Sequence, residues 1–374
     1  MPDPGTKGEP LTLVTADALR RQVDLILEAW GMAPDDRAPV VEMLVETDLR
    51  GIESHGASML PLYDRMRRAG GLNLRPRPRI VRDGESVALL DADAGLGHPA
   101  AIRAVTLAVD KAERMGVGAV AVRNSHHFGA AGLYAEMAAR RGCIALVTSS
   151  ARTVAVIPEG GAAPVLGTNP IAFAAPATGR DPFLLDMSTS AVAANKVKVY
   201  SYHDTPLPVG WVVDGAGQPV TDPHRGLALC FDGEVGGLMP LGGGRETGSH
   251  KGYGLAVMAQ LLGSTLAGGS FSPFRARAAG PGEPDNIGHF VLALKPSAFR
   301  DGDAFPDEAA AILAALEATP PADPDRPVLV AGTPEFRTRA ARIAGGIPLN
   351  GAFLDAVREV AAGSGVPFLL AGGA

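Results

Sequence analysis

The feature that most restricts the fold of this chain is an alternation of two periods. Between residues 80 and 148, short β-type runs take turns with segments whose apolar residues recur every three or four positions. Ile80-Val81 and Val87 to Leu90 read as strands. Pro99 to Arg114 reads as a helix, with Ile102, Val105, Val109 and Ala112 on one stripe. Val117 to Val122 is a strand, Ala130 to Arg141 a helix, and Ile144 to Thr148 a strand again. A side-chain period of two and a period of 3.6 present different faces and cannot exchange roles. The alternation therefore specifies an α/β chain.

Helices precede this region. Thr15 to Trp30 places Leu19, Val23, Ile26, Leu27 and Trp30 on one face behind a capping threonine, and Gly31 closes it. Pro34-Asp35-Asp36 opens a second helix, since proline and acids both suit a first turn. A third carries Leu60, Tyr63 and Met66 and ends at Gly70-Gly71. Beyond residue 150 the reading gives a strand ending at Asp186, a helix from Gly252 to Leu266 and a strand from His289 to Leu294. Helical stretches flank a short strand, Val328-Leu329-Val330. The segments near 201–225 and 270–287 are rich in Pro, Gly and Asp and read as surface loops.

An α/β chain that binds a dinucleotide usually carries Gly-x-Gly-x-x-Gly between a strand and a helix. Gly95-Leu96-Gly97 continues as His98-Pro99-Ala100 without the third glycine, and Gly242-Gly243-Gly244 runs into Arg245-Glu246-Thr247. A Rossmann domain is disfavoured.

At 374 residues the chain has room for about two domains. Its 34 basic and 40 acidic side chains give a net charge of −6, which disfavours nucleic acid as a partner. No apolar run approaches membrane-spanning length. The first residues lack the basic-then-apolar order of a signal peptide. Of the two cysteines, Cys143 heads the apolar run Cys143 to Val147 and reads as a buried structural thiol. No disulfide framework is available, and a cytoplasmic location is expected.

Polar segments punctuate the apolar ones. Ser54-His55-Gly56 follows the second helix: a hydroxyl beside an imidazole can orient the ring, and histidine exchanges protons near neutral pH. The same triplet can serve as a helix cap. Asn124 to Gly129, with His126 and His127, follows a strand, where α/β proteins place their sites. Adjacent histidines point apart and no third ligand is spaced for zinc, so no metal is expected. Gly167-Thr168-Asn169-Pro170 is a polar turn between apolar segments. Asp186-Met187-Ser188 leads a hydroxyl-rich strand end suited to ribose or phosphate oxygens, or to a helix cap. Lys251 opens a helix, where a cation is unfavourable unless a phosphate or carboxylate lies nearby.

In this order and spacing, Asp48 to Gly56, Asn124 to Gly129, Gly167 to Pro170, Asp186 to Ser190, His250 to Gly254 and Gly288-His289-Phe290 resemble the malate/L-lactate dehydrogenase family. That family lacks a Rossmann fold. It includes ureidoglycolate and sulfolactate dehydrogenases, diketogulonate reductase and reductases of piperideine-2-carboxylate. The resemblance runs from about Thr15 to about residue 362. It implies a non-Rossmann α/β fold with a largely β cofactor domain, residues 123–304. A helix-rich substrate and dimerisation domain would join 1–122 to 305–374. A homodimer, NAD or NADP, and a small carboxylic acid substrate are implied with it.

The resemblance also implies roles. His55 matches the acid/base histidine, with Ser54 beside it. His127 matches a second histidine that carries the proton role in some members; here it is read as a cofactor or substrate contact. Phe128, Gly129, Ala130, Asp186, Met187, Ser188, Lys251 and Gly332 fall on cofactor-binding positions, and Thr168 on a substrate contact. Many members have an arginine where this chain has Met59, so Arg50 or Lys251 is the expected partner of the substrate carboxylate. Arg-Gly-Lys is replaced by Ala194-Asn195-Lys196, and Pro-Gly-Glu by Ala331-Gly332-Thr333. The expected reaction moves a hydride between nicotinamide and a 2-hydroxy or 2-oxo acid, with His55 passing the proton. The alternatives are reduction of a cyclic imino acid C=N bond, and a non-catalytic ligand-binding or assembly protein that kept the fold.

Overall fold

In the computed structural model, which describes residues 11–231, 234–274 and 282–371, Thr15 accepts the Ala18 N–H and starts the first helix. This helix, α1 (Ala16–Ala29), and α2 (Pro34–Leu49) pack together through the stripe expected of them. Leu19, Val23, Ile26 and Leu27 are fully buried, at roughly 1.5–3 kcal/mol per side chain removed from water. With α3 (Leu60–Arg68) and α11 (Gly351–Gly363) they form a helical core. A strand pair spans the chain's two ends: β1 (Thr12–Val14) lies antiparallel to β11 (Ile347–Leu349).

The rest is built on one sheet. Its strands are β2 (Arg79–Asp83), β3 (Val87–Asp91), β4 (Val117–Ser125), β5 (Ile144–Ser149), β6 (Ile171–Ala175), β7 (Phe183–Met187) and β10 (Ile287–Leu294). They lie in the order β2-β3-β4-β10-β5-β6-β7. Only β3 and β4 are parallel, joined by the crossover helix α4 (Gly97–Met115); every other neighbouring pair is antiparallel. α5 (Ala131–Arg140) joins α4 over an alanine- and valine-rich core that includes Cys143. A third core gathers residues between Ala155 and Ala256. It uses α6 (Ala194–Tyr202), the pair β8 (Val212–Val213) and β9 (Gly237–Leu238), α7 (Pro223–Phe231) and α8 (Ser249–Gly263). Two more helices, α9 (Ala304–Glu317) and α10 (Thr333–Gly345), lead to β11.

The strand expected at Val328 to Val330 is absent. Just after it, the Ala331 carbonyl accepts the Leu184 N–H of β7, and no ladder forms. The late strand is instead Ile347–Leu349. The segment 201–225 is not all loop, since it contains β8 and opens α7. Residues 275–281 of the second expected loop lie outside the described residues. The boundary expected after residue 122 falls inside β4, and β2 and β3 belong to the same sheet.

Candidate active site

The His55 turn is set by its neighbours in sequence. After α2, Gly51 takes a left-handed φ of 79° and redirects the chain into two short 3-10 turns, Glu53–His55 and Ala57–Met59. Asp48, fully buried, accepts the Ala57 N–H at 2.8 Å. A Cβ on Gly56 would stand 2.0 Å from Asp48 Oδ1, so only glycine lets the turn settle on that carboxylate. Burial pushes the Asp48 carboxyl up to about 8. Ser54 Oγ lies 2.8 Å from His55 Nδ1.

Opposite stands His127, delivered by the end of β4. Gly97 at the start of α4 donates its N–H to the His127 carbonyl at 3.0 Å, and a Cβ there would meet the His126 carbonyl at 2.4 Å. Phe128 is sandwiched between His289 and Tyr134, with centroids 4.4 and 5.0 Å away. His289 is itself held by Ser149 on Nδ1 at 2.8 Å and Ser125 on Nε2 at 2.9 Å. The loop between β4 and α5 is therefore anchored on both sides of His127.

The rings of His55 and His127 lie 5.4 Å apart. Tyr63 Oη is 2.7 Å from His127 Nδ1, and the Gly129 N–H is 3.4 Å from the same nitrogen. His98 lies edge-on to both Tyr63 and His127, at 6.1 and 6.4 Å between centroids. It is completely buried, and neither ring nitrogen has a partner among the described residues. Burial raises the Tyr63 phenol and keeps it protonated, so Tyr63 donates to Nδ1 and neutral His127 carries its proton on Nε2.

Burial lowers the His55 pKa below its ordinary value. His127 is lowered further, by burial first and then by His55, His98 and His289. His98 and His289 are pushed down to about 3 by burial. His55 and His127 nonetheless keep partial exposure. Both rings are closely surrounded by protein.

Asp186 lies in β7 and packs against the start of α5. Its carboxylate accepts the Gly132 N–H in the first turn of α5 at 2.7 Å. A Cβ on Gly132 would press to 2.9 Å from the Asp186 Cβ. Asp186 is solvent-accessible yet walled by protein, which raises its carboxyl to about 6, with Glu335 adding to the shift. Gly332, at φ 94°, caps α10 directly against Leu184 of β7. Met187 and Ser188 are half-buried beyond Asp186. Ala130, buried, is the N-cap of α5 and offers no side-chain cap.

Thr168 opens a turn tied to α8, the helix that carries Lys251. The Thr168 carbonyl accepts from Thr189 N at 2.9 Å and Oγ1 at 3.1 Å, and Asn169 donates to the Ala256 carbonyl of α8 at 3.1 Å. Leu241 bonds the Thr189 carbonyl at 2.9 Å, and Gly252 presses against Leu241. Lys251, in the first turn of α8, is exposed and has no ion pair among the described residues.

Arg50 is not free in the same way. It is buried, 2.6 Å from Glu136 Oε2 and 3.5 Å from Glu46 Oε2. Met59 is half-buried against the helical core. Lys196 lies over the Trp211 ring. Two neighbours of His127 were not singled out from the sequence. Tyr63 read only as an apolar-stripe residue, and His98 only as the residue that broke a glycine fingerprint.

From residue 14 to 358 the chain matches the family model described as malate/L-lactate dehydrogenase. It is 38% identical over 363 residues to a malate dehydrogenase of Pyrococcus abyssi, covering 97% of this chain and 98% of that protein. It is 38% identical over 278 residues to a (2R)-3-sulfolactate dehydrogenase (NADP(+)) of Chromohalobacter salexigens, covering 74% and 79%. Among solved structures, malate dehydrogenase from Entamoeba histolytica superposes with a TM-score of 0.89 at 29% identity, over 96% of this chain and 99% of that one. The delta1-piperideine-2-carboxylate reductase from Pseudomonas syringae superposes at 0.80 and 29% identity, over 93% and 99%.

Proposed function

Because the chain belongs to the malate/L-lactate dehydrogenase family, we propose that it is an NAD- or NADP-dependent oxidoreductase that interconverts a small 2-hydroxy acid and its 2-oxo acid. The observation that carries this reading is the unequal histidine pair. His127 has its Nδ1 taken by Tyr63 and lies 5.4 Å from His55. Two imidazoles this close do not readily carry charge together. His127 is the more strongly lowered of the two, so the exchangeable proton belongs to His55, oriented by Ser54.

The candidate residues suit a nicotinamide dinucleotide. Asp186 offers an accessible carboxylate to ribose hydroxyls, with Met187 and Ser188 beside it. Ala130 and Gly332 cap the starts of α5 and α10, helix ends that suit phosphate oxygens. Lys251 supplies a cation for phosphate or for the substrate carboxylate. When bound, the cofactor supplies or accepts the hydride. In acid reduction, His55 donates its proton to the substrate oxygen as negative charge develops there. His127 Nε2–H donates a hydrogen bond to the substrate. Thr168 contacts the substrate, and Lys251 rather than the ion-paired Arg50 holds the carboxylate. Met59 contributes no charge, which favours substrates without a second acidic group at that end. The reading includes a homodimer in the cytoplasm, in keeping with two buried free thiols.

The test follows reduced-nicotinamide absorbance with NADH or NADPH, a panel of 2-oxo acids and one cyclic imino acid. Turnover of a 2-oxo acid that is lost in His55→Ala supports the reading. Turnover of the imine alone moves the activity to C=N reduction. Cofactor binding without any turnover leaves a ligand-binding protein.

A further inference from the structure

A ladder of alternating charge runs across α2, α5 and α10: Arg339, Glu46, Arg50, Glu136, Arg140. Arg339 grips both oxygens of Glu46 at 2.8 Å. Arg50 stands 3.5 Å from Glu46 and 2.6 Å from Glu136. Arg140 Nε donates to Glu136 at 2.7 Å. The three middle members are almost fully buried, at 8%, 7% and 4% exposure for Glu46, Arg50 and Glu136. Arg50 Nε and Nη1 meet their carboxylates as ion pairs without directed hydrogen bonds. The Phe336 ring lies under Arg50 and Arg140, at 5.4 and 6.0 Å. One turn further along α10, Arg342 donates to the Asp48 carbonyl at 2.6 Å and to Glu53 at 2.7 Å.

Buried ion pairs of this kind contribute little stability over well-packed apolar residues. What this ladder joins gives it a purpose. Glu46 and Arg50 lie on α2 and its cap, just before the His55 turn. Glu136 and Arg140 lie on α5, which follows the His127 loop and receives Asp186 through Gly132. Arg339 lies on α10, which starts at Gly332. We propose that the ladder fixes the spacing between the His55 turn and the segments of Asp186 and Gly332, and that Arg50 is a positioning residue acting through Glu136. Apolar surfaces can slide over one another, whereas alternating charges hold one register. A displacement of about 1 Å at a reacting centre can cost roughly a hundredfold in rate. The inference rests on the dehydrogenase reading for its catalytic consequence and on the ion pairs for its structural one.

The test uses full-length Arg50→Met, Glu136→Gln, their combination, and Arg50→Lys. Thermal midpoint, kcat and KM for acid and nicotinamide, and hydrogen–deuterium exchange are measured on each. The combined variant is expected to melt near wild type but lose about tenfold or more in kcat. Its exchange is expected to rise in 53–59 and 126–136. Arg50→Lys is expected to recover part of kcat. Wild-type kcat, KM and exchange in a folded combined variant would overturn the proposal. If these variants do not fold, Arg339→Gln, at the ladder's half-open end, decides it. Faster exchange at 332–342 with a raised nicotinamide KM is expected, and no change in either refutes it. Failure of the activity itself is told apart by the wild type: if it turns over no 2-oxo acid, exchange in the variants still decides the ladder.

Discussion

Tyr63 Oη lies 2.7 Å from His127 Nδ1, a bond that joins α3 of the helical core to the loop at the end of β4. It fixes both the ring and the tautomer of His127. Tyr63→Phe should leave the fold intact and lower kcat about tenfold, because the ring is then held only by the long Gly129 contact. Steady-state rates in both directions check this, and an unchanged kcat would exclude an oriented His127.

His55→Ala should lower kcat by roughly two to four orders of magnitude, the range for loss of a general acid or base. Ser54→Ala should cost less, since it removes only the orienting contact. Circular dichroism must match wild type. A folded His55→Ala enzyme with full kcat would transfer the proton role elsewhere.

The pH dependence has a definite sign. Burial lowers His55 below its ordinary 6.5, so the neutral base persists as pH falls to that value. Oxidation of the hydroxy acid, which needs neutral His55, should hold its kcat/KM down to pH 6.5 and decline only below it. Reduction, which needs the protonated ring, should gain as the medium becomes more acidic. An acidic limb for oxidation centred above pH 7 would contradict the assignment.

Asp48 provides a stability test. Its folded carboxyl is raised to about 8, against 3.8 when unfolded. The folded state therefore holds the proton more tightly. This contribution is complete below pH 3.8 and is lost as pH rises through 8, at about 1.4 kcal/mol per pH unit. Asp48→Asn should flatten that part of the profile in urea titrations between pH 4 and 9, while keeping an acceptor for the Ala57 N–H. A wild-type slope in the variant would mean that Asp48 is not the titrating group.

Gly132→Ala tests the role of Asp186. The added Cβ would meet Asp186 Cβ and Oδ2 at 2.9 Å, so the carboxylate must move. The nicotinamide KM should rise about tenfold with little effect on the melting temperature. Unaltered cofactor affinity would remove Asp186 from the binding set.

The elements readable from the chain were those whose own period declares them. α1, α2, α4 and α5, with the strands between them, were legible because each buries one face against a neighbour close in sequence. Val328 to Val330 misled for the complementary reason. Its β-branched composition fits a strand, but a strand also needs a ladder, and only Ala331 is bonded to β7. The pairing of β1 with β11 joins residues more than three hundred positions apart and leaves no local signature.

The same division runs through the candidate site. Ser54 beside His55 is a local pair, and its hydrogen bond was foreseeable from adjacency. Tyr63 with His127, and Gly132 with Asp186, are distant pairs, visible only once the sheet brings their segments together. Arg50 shows the limit from the other side. Its charge made it a natural substrate clamp on paper, whereas in the fold two carboxylates of its own chain already surround it.

The place of β10 governs how such a chain comes to be folded at all. β10 is inserted between β4 and β5 but is made of residues 287–294. During synthesis, β4 and β5 leave the ribosome well before the strand that must separate them. Each then presents an unpaired edge of backbone N–H and carbonyl groups for the time needed to make well over a hundred further residues. The growing chain is most exposed to misassembly in that interval. A substitution that weakens β10 would therefore be felt in the yield of soluble protein before it was felt in the rate of any reaction.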